Sequence, residues 1–78
     1  MDAQKFVKDF ADQFEETNPD EIRLDTAFRS LQEWSSMMAL VIIAMMDEKY
    51  GVTLTGEEIR ASETVEDLFK AVVSKVKK

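Results

Sequence analysis

The chain of 78 residues carries sixteen acidic against ten basic residues, which gives a formal net charge of −6, and it contains neither cysteine nor histidine. This length accommodates a single domain, residues 1–78, around one small core. Without cysteine the chain forms no disulfides or thiolate metal sites, and without histidine it lacks the commonest general base. The acidic charge disfavours nucleic acid as a partner.

The longest uninterrupted apolar run extends from Met37 to Met46. It is too short for a membrane span, which needs about 20 apolar residues. Residues 1–6 also lack the basic and apolar regions of a signal peptide. We therefore predict a cytoplasmic, monomeric protein without a membrane span.

The first predicted helix follows Asp2, a suitable N-cap, and its apolar residues recur at three- or four-residue steps as far as Phe14. We expect this helix to end at Asn18-Pro19, because proline disfavours helical geometry in the residue before it.

A long connection follows over residues 17–34. Apolar side chains punctuate it, so we expect it to cross the core as an ordered loop, with a short helical turn near residues 25–28. These apolar positions are Ile22, Leu24, Phe28, Leu31 and Trp34.

The second predicted helix runs from about Ser36 to Tyr50 and stops at Gly51, a favourable residue after a helix end. Thr55 and Glu58 have the spacing of a capping box, which predicts a short third helix.

The last predicted helix starts similarly at Thr64, and its apolar residues form one stripe. The stripe comprises Val65, Leu68, Phe69, Val72, Val73 and Val76. Together the segments predict an all-α fold, a small antiparallel four-helix bundle of three longer helices and one short helix, with a long loop between the first two.

Nothing in the sequence marks a catalytic or metal site. Asp20, Glu21 and Asp25 lack the spacing and the glycine of a calcium loop. The serines have no histidine to activate them. We therefore expect a protein that is bound or modified by others and is not itself an enzyme.

The order of these features resembles the acyl carrier proteins over essentially the whole chain. That family places Asp-Ser-Leu at the start of its second helix, and ends the helix in Glu-Glu-x-Phe-Gly-Ile-x-Ile or a close variant. Here Ser35-Ser36-Met37 opens the helix and Asp47-Glu48-Lys49-Tyr50-Gly51-Val52-Thr53-Leu54 closes it. The segments Leu54-Thr55-Gly56-Glu57-Glu58-Ile59 and Thr64-Val65-Glu66-Asp67-Leu68 resemble the family's third helix and the entry to its fourth.

The resemblance implies that a phosphopantetheinyl transferase attaches 4′-phosphopantetheine from coenzyme A to a serine of the chain. The thiol of this arm would carry acyl groups as thioesters between acyl-transfer and condensing enzymes of fatty-acid, polyketide or related biosynthesis. A helix N-terminus suits the phosphodiester, because it stabilises negative charge.

Two serines are candidates for the attachment. Counting forward from Leu31 selects Ser35, whereas counting back from Tyr50-Gly51 along an unbroken helix selects Ser36. A helix tolerates a one-residue shift less well than a loop does, because every side chain moves to another face. We predict attachment at Ser36, with Ser35 as the alternative in the place of the family's aspartate.

The second helix is also unusually apolar for this family, whose members dock through an acidic face. A period of about 100° per residue predicts a core stripe at Ile42, Ile43, Met46 and Tyr50. The side chains predicted to face outward and bind partners, chiefly by apolar contact, are Met37, Met38, Val41, Met45, Asp47 and Glu48.

One alternative follows from two departures from the family: Ser35 in the place of its aspartate, and this apolar face. The chain would then be a carrier-like helical interaction module without a prosthetic group, docking through the methionine-rich helix.

Overall fold

The computed structural model describes residues 2–76, and within them it has four α-helices and no strand. The helices are α1 (Ala3–Ala11), α2 (Ser36–Tyr50), α3 (Gly56–Ala61) and α4 (Val65–Val76). α1 lies against α4, and α3 lies against both α2 and α4. The predicted four-helix bundle with one short helix is therefore confirmed.

The core draws on every helix and on the loop between α1 and α2. Its fully buried large side chains are Phe6, Phe10, Phe28, Ile42, Met46, Val65, Leu68 and Val72. The loop contributes Phe28 and also Ile22, which is nearly as buried. The predicted crossing of the core by this loop is confirmed.

α1 ends earlier than the sequence predicts, at Ala11. The backbone N–H groups of Gln13 and Phe14 donate to carbonyls three residues back, which tightens the last turn. Beyond this turn, the N–H groups of residues 15–17 donate to the side chain of Glu33 and not to carbonyls of the helix. The prediction that α1 continues to Asn18-Pro19 is wrong, because a distant carboxylate captures the donors that would extend it.

The loop holds two single 3₁₀ turns, Pro19–Glu21 and Phe28–Ser30, instead of the turn expected near residues 25–28. It is also tied to α4. The Thr26 carbonyl accepts from the N–H of Val65 at 3.0 Å, and the Leu24 carbonyl accepts from Glu66 at 2.8 Å. These bonds satisfy two donors at the start of α4 that have no partner inside the helix.

The predicted boundaries of α2 and the predicted start of α3 are confirmed. Gly51 follows α2 with φ of 65° and donates its N–H to the Asp47 carbonyl at 3.1 Å. This left-handed conformation is accessible to glycine at little cost. The capping box of α3 has both reciprocal bonds, between Thr55 and Glu58. α2 therefore has fixed limits, and its first residue is Ser36.

Candidate functional site: the N-terminus of α2

Ser35 and Ser36 differ in what their hydroxyl groups do. Ser35 is the N-cap of α2, and its Oγ accepts a hydrogen bond from the Met38 N–H at 3.3 Å. Ser36 is the first residue inside the helix and is exposed, and its hydroxyl makes no hydrogen bond within residues 2–76. Both serines are exposed, so the difference between them is that the Ser35 Oγ serves the helix as a cap and the Ser36 Oγ does not.

The geometry at Ser36 fits a covalently attached phosphate group. The first hydrogen bond within α2 joins the Ala39 N–H to the Ser35 carbonyl at 3.0 Å, so the N–H groups of Ser36 and Met37 precede the helical ladder. Free N–H groups and the positive end of the helix dipole favour an anion at this position. An ester of the Ser36 hydroxyl would place its phosphate at this end of α2.

Glu33 holds the chain just before the two serines. Its carboxylate accepts from the backbone N–H groups of Glu15, Glu16 and Thr17 at 2.8–3.1 Å, and from the Thr17 hydroxyl at 2.9 Å. These donors, chiefly the Glu15 N–H, hold the pKa of the Glu33 carboxyl below its usual range. The end of the loop that leads into α2 is therefore fixed to the residues that follow α1.

Trp34 fixes the same segment by packing. Its ring lies edge-on to Phe28, with the centroids 4.9 Å apart, and stacks on Phe14 at 6.4 Å. Both partners are buried. Trp34, the residue before the N-cap, is therefore anchored in the aromatic part of the core.

The outward face of α2 is rotated from the predicted one. Met45 is only 3% exposed and belongs to the core, so its predicted position on the outward face is wrong. Met38 and Val41 are half-buried. With about 100° per residue, Met38 and Met45 both lie within about 60° of the buried Ile42. A helix apolar on all sides gives no periodic contrast, so the sequence alone left its rotation undetermined.

The side chains that do face outward form what we name the docking face: Met37, Leu40, Ala44, Asp47 and Glu48. Met37 is 72% exposed and Leu40 is 66% exposed, and residues three apart on a helix are neighbours, so the two form an exposed apolar patch. Leu40 was not predicted as part of this face, although its distance of four residues from Ser36 indicates such a position. Leu40 lies four residues after Ser36 and is thus its neighbour on the helix surface.

The docking face is neutral near Ser36 and charged only at its far end. No charged residue occurs from Trp34 to Met46. Asp47 and Glu48 are exposed in the last turn of α2, followed by Lys49. In a chain with net charge −6, the part of the α2 surface that follows Ser36 therefore carries no charge before Asp47.

A polar cluster fixes the opposite end of α2. Asp9 of α1 is nearly buried, and its Oδ2 accepts from the Tyr50 hydroxyl at 2.6 Å and from the Lys5 ammonium at 2.8 Å. The hydrogen bond from Lys5 lowers the pKa of Asp9 most, and the one from Tyr50 lowers it further. Burial and the neighbouring Asp9 raise the pKa of Tyr50. The Tyr50 ring also packs on Phe6.

Within residues 2–76, no three acidic side chains come together as a metal-binding group. No helix in that range combines the length and hydropathy needed to cross a membrane.

A short helical bundle with an accessible serine at the start of an apolar helix is the architecture of a carrier protein. A family model described as "Phosphopantetheine attachment site" matches residues 4–72. The chain belongs to this family, that of the acyl carrier proteins, whose members carry a covalently attached 4′-phosphopantetheine group. Comparisons with curated proteins and with solved structures give no match.

Family membership confirms the prediction of a phosphopantetheine carrier. Carrier domains of this family are generally not catalytic themselves, and they work with phosphopantetheinyl transferases and acyl-handling enzymes. The chain holds no cysteine, so a reactive thiol would come with the arm.

Proposed function

We propose that the chain carries acyl groups as thioesters on a 4′-phosphopantetheine arm attached to Ser36, in fatty-acid, polyketide or related acyl-transfer biosynthesis. The free and exposed Ser36 hydroxyl at the start of α2 is the observation that carries the choice of residue. Attachment at Ser35 would modify the oxygen that caps the helix. A cytoplasmic location and a monomeric state remain predictions from the sequence.

The experiment that tests the attachment is intact-mass measurement after incubation with coenzyme A, magnesium and a broad-specificity phosphopantetheinyl transferase. We expect one phosphopantetheine adduct on the wild-type chain, none on Ser36→Ala, and an adduct on Ser35→Ala. An adduct that survives Ser36→Ala and disappears in Ser35→Ala would assign the arm to Ser35. No adduct with any transferase tried would favour the interaction module without a prosthetic group.

Ser35→Asp provides a second test of the site. Serine and aspartate are comparable N-caps, so the start of α2 is retained. The new carboxylate restores the charge that the family places before its serine. We expect faster modification of Ser36 in Ser35→Asp, measured as kcat/KM of the transferase for the chain. An unchanged rate would show that the transferase does not use this charge.

We further propose that the docking face binds the phosphopantetheinyl transferase chiefly through apolar contact. The transferase must reach the Ser36 Oγ, and Met37 and Leu40 are the exposed side chains nearest to it along the helix. Neither residue is charged, so within the docking face ion pairs are available only from Asp47 and Glu48.

Leu40→Asp tests this contact, with Val76→Asp as the matched control. Val76 is also an exposed apolar residue, at 44%, but it belongs to α4. We expect Leu40→Asp to lower kcat/KM about tenfold or more, because a charge would be buried against an apolar partner. Val76→Asp is expected to leave it near the wild-type value. Steep weakening by salt with no effect of Leu40→Asp would contradict the apolar contact.

A further inference from the structure

The methionines of α2 differ widely in how exposed they are. Met37 is 72% exposed and Met38 is half-buried, whereas Met45 and Met46 are 3% and 0% exposed. Oxidation of methionine to its sulfoxide requires access of the oxidant to sulfur. Among these four methionines, Met37 is therefore the most open to an oxidant in solution.

The chain offers no competing thiol before it receives its arm. It has five methionines and no cysteine, so thioethers are its sole sulfur groups. A thiolate would otherwise react first with a mild oxidant. In the chain without the arm, the first oxidation is thus directed to methionine.

The position of Met37 gives its oxidation a consequence at Ser36. Met37 is the next residue along the helix, and together with Leu40 it forms the apolar part of the docking face nearest to that serine. A sulfoxide replaces an apolar thioether by a strongly polar group. An enzyme that covers this surface by apolar contact would have to bury that polar group, which is unfavourable without a partner.

We propose that the Met37 thioether is a selective and reversible oxidation site whose sulfoxide slows loading of the arm onto Ser36. This inference rests on the proposed function. The oxidant is a hydroperoxide such as hydrogen peroxide. A sulfur lone pair attacks the terminal oxygen, the S–O bond forms as the O–O bond breaks, and the leaving hydroxide takes up the remaining proton as water. Sulfur loses two electrons, and the peroxide gains them.

Limited peroxide treatment of the chain without its arm, followed by catalase, tests the selectivity. Peptide mapping by mass spectrometry then locates the added oxygen atoms. Among the four methionines of α2, we expect Met37 to be oxidised first, with Met38 slower and with Met45 and Met46 unmodified while the fold is intact. First oxidation of Met38, Met45 or Met46 would overturn the proposal.

The effect on loading is measured as kcat/KM of the transferase for each chain, before and after peroxide. Oxidation should lower this value roughly tenfold in the wild type, the factor that corresponds to losing burial of one methionine side chain. Methionine sulfoxide reductases acting on both epimers should restore it. In Met37→Leu the ratio of the two values should stay near one, whereas in Met38→Leu it should fall as in the wild type.

Equal loading of the oxidised and unoxidised wild-type chain would overturn the proposal, and so would an equal loss in Met37→Leu. If the unoxidised chain accepts no arm, the proposed function fails and the effect on loading fails with it. The peptide map is a separate readout, since it locates the oxygen whether or not the chain is loaded.

Discussion

At its C-terminal end α2 is held directly by a polar cluster, whereas its N-terminal end is held by a serine cap and through the preceding loop, which Glu33 and Trp34 fix to the rest of the fold. Tyr50 is bound to a nearly buried carboxylate of α1, and Gly51 closes the last turn. At the other end, Met37 and Leu40 are exposed and no charged side chain lies near them in sequence. Residues other than Met37 and Leu40 thus hold both ends of α2, which leaves the surface beside Ser36 available to partners.

The largest effect expected from this difference is between two methionines of the same helix. Met46→Ala should lower the free energy of unfolding by about 2–5 kcal/mol, because it leaves a cavity in the core. Met37→Ala should change it by no more than about 0.5 kcal/mol, since the side chain is exposed. Urea denaturation followed by circular dichroism measures both. Similar losses in the two variants would contradict the contrast between the two ends.

A smaller effect is expected at the polar cluster. Tyr50→Phe should lower the free energy of unfolding by about 1–2 kcal/mol, because it removes a hydrogen bond to a charged group and keeps the ring that packs on Phe6. A double-mutant cycle with Asp9→Asn isolates the coupling between the two side chains. A coupling energy of zero would show that this hydrogen bond does not stabilise the fold.

The smallest expected effect is a loss of folding stability at low pH. The pKa of Asp9 is lower in the folded chain than its ordinary value of 3.8. Its contribution to stability is therefore fully present above that value and is lost as the pH falls through the lower, folded pKa. Glu33, Glu58 and Asp67, whose pKa values are also lowered, act in the same direction.

Thermal unfolding between about pH 6 and pH 2 measures this loss. As the pH falls, we expect the melting temperature to decrease less steeply in Asp9→Asn than in the wild type, because one of the four contributing carboxylates is absent. Identical slopes would show that Asp9 does not contribute.

Local signals in the sequence predicted most of the fold. The bounds of α2 follow from Gly51 and from the apolar run, and those of α3 from the capping box of Thr55 and Glu58. Each of these features involves residues only three or four positions apart, so it can be recognised directly in the sequence. The early end of α1 depends instead on Glu33, which binds the backbone some seventeen residues away. No local pattern records such a bond.

The candidate site was predicted in part for a related reason. The position of Ser36 at the start of α2 follows from counting back along the helix, and the structure has the helix begin there. The orientation of the docking face does not follow from counting. Met45 turns inward and Leu40 outward, and only the packing of the other helices distinguishes them.

Trp34 is the sole tryptophan of the chain, and it lies one residue before the N-cap, between Phe14 and Phe28. Its half-buried indole gives the molecule an intrinsic fluorophore at the end of α2 that partners would approach. Tyrosine emission arises only from Tyr50, at the far end of the same helix. Because the two chromophores lie at opposite ends of α2, the emission of Trp34 reports on the end beside Ser36, without any added label.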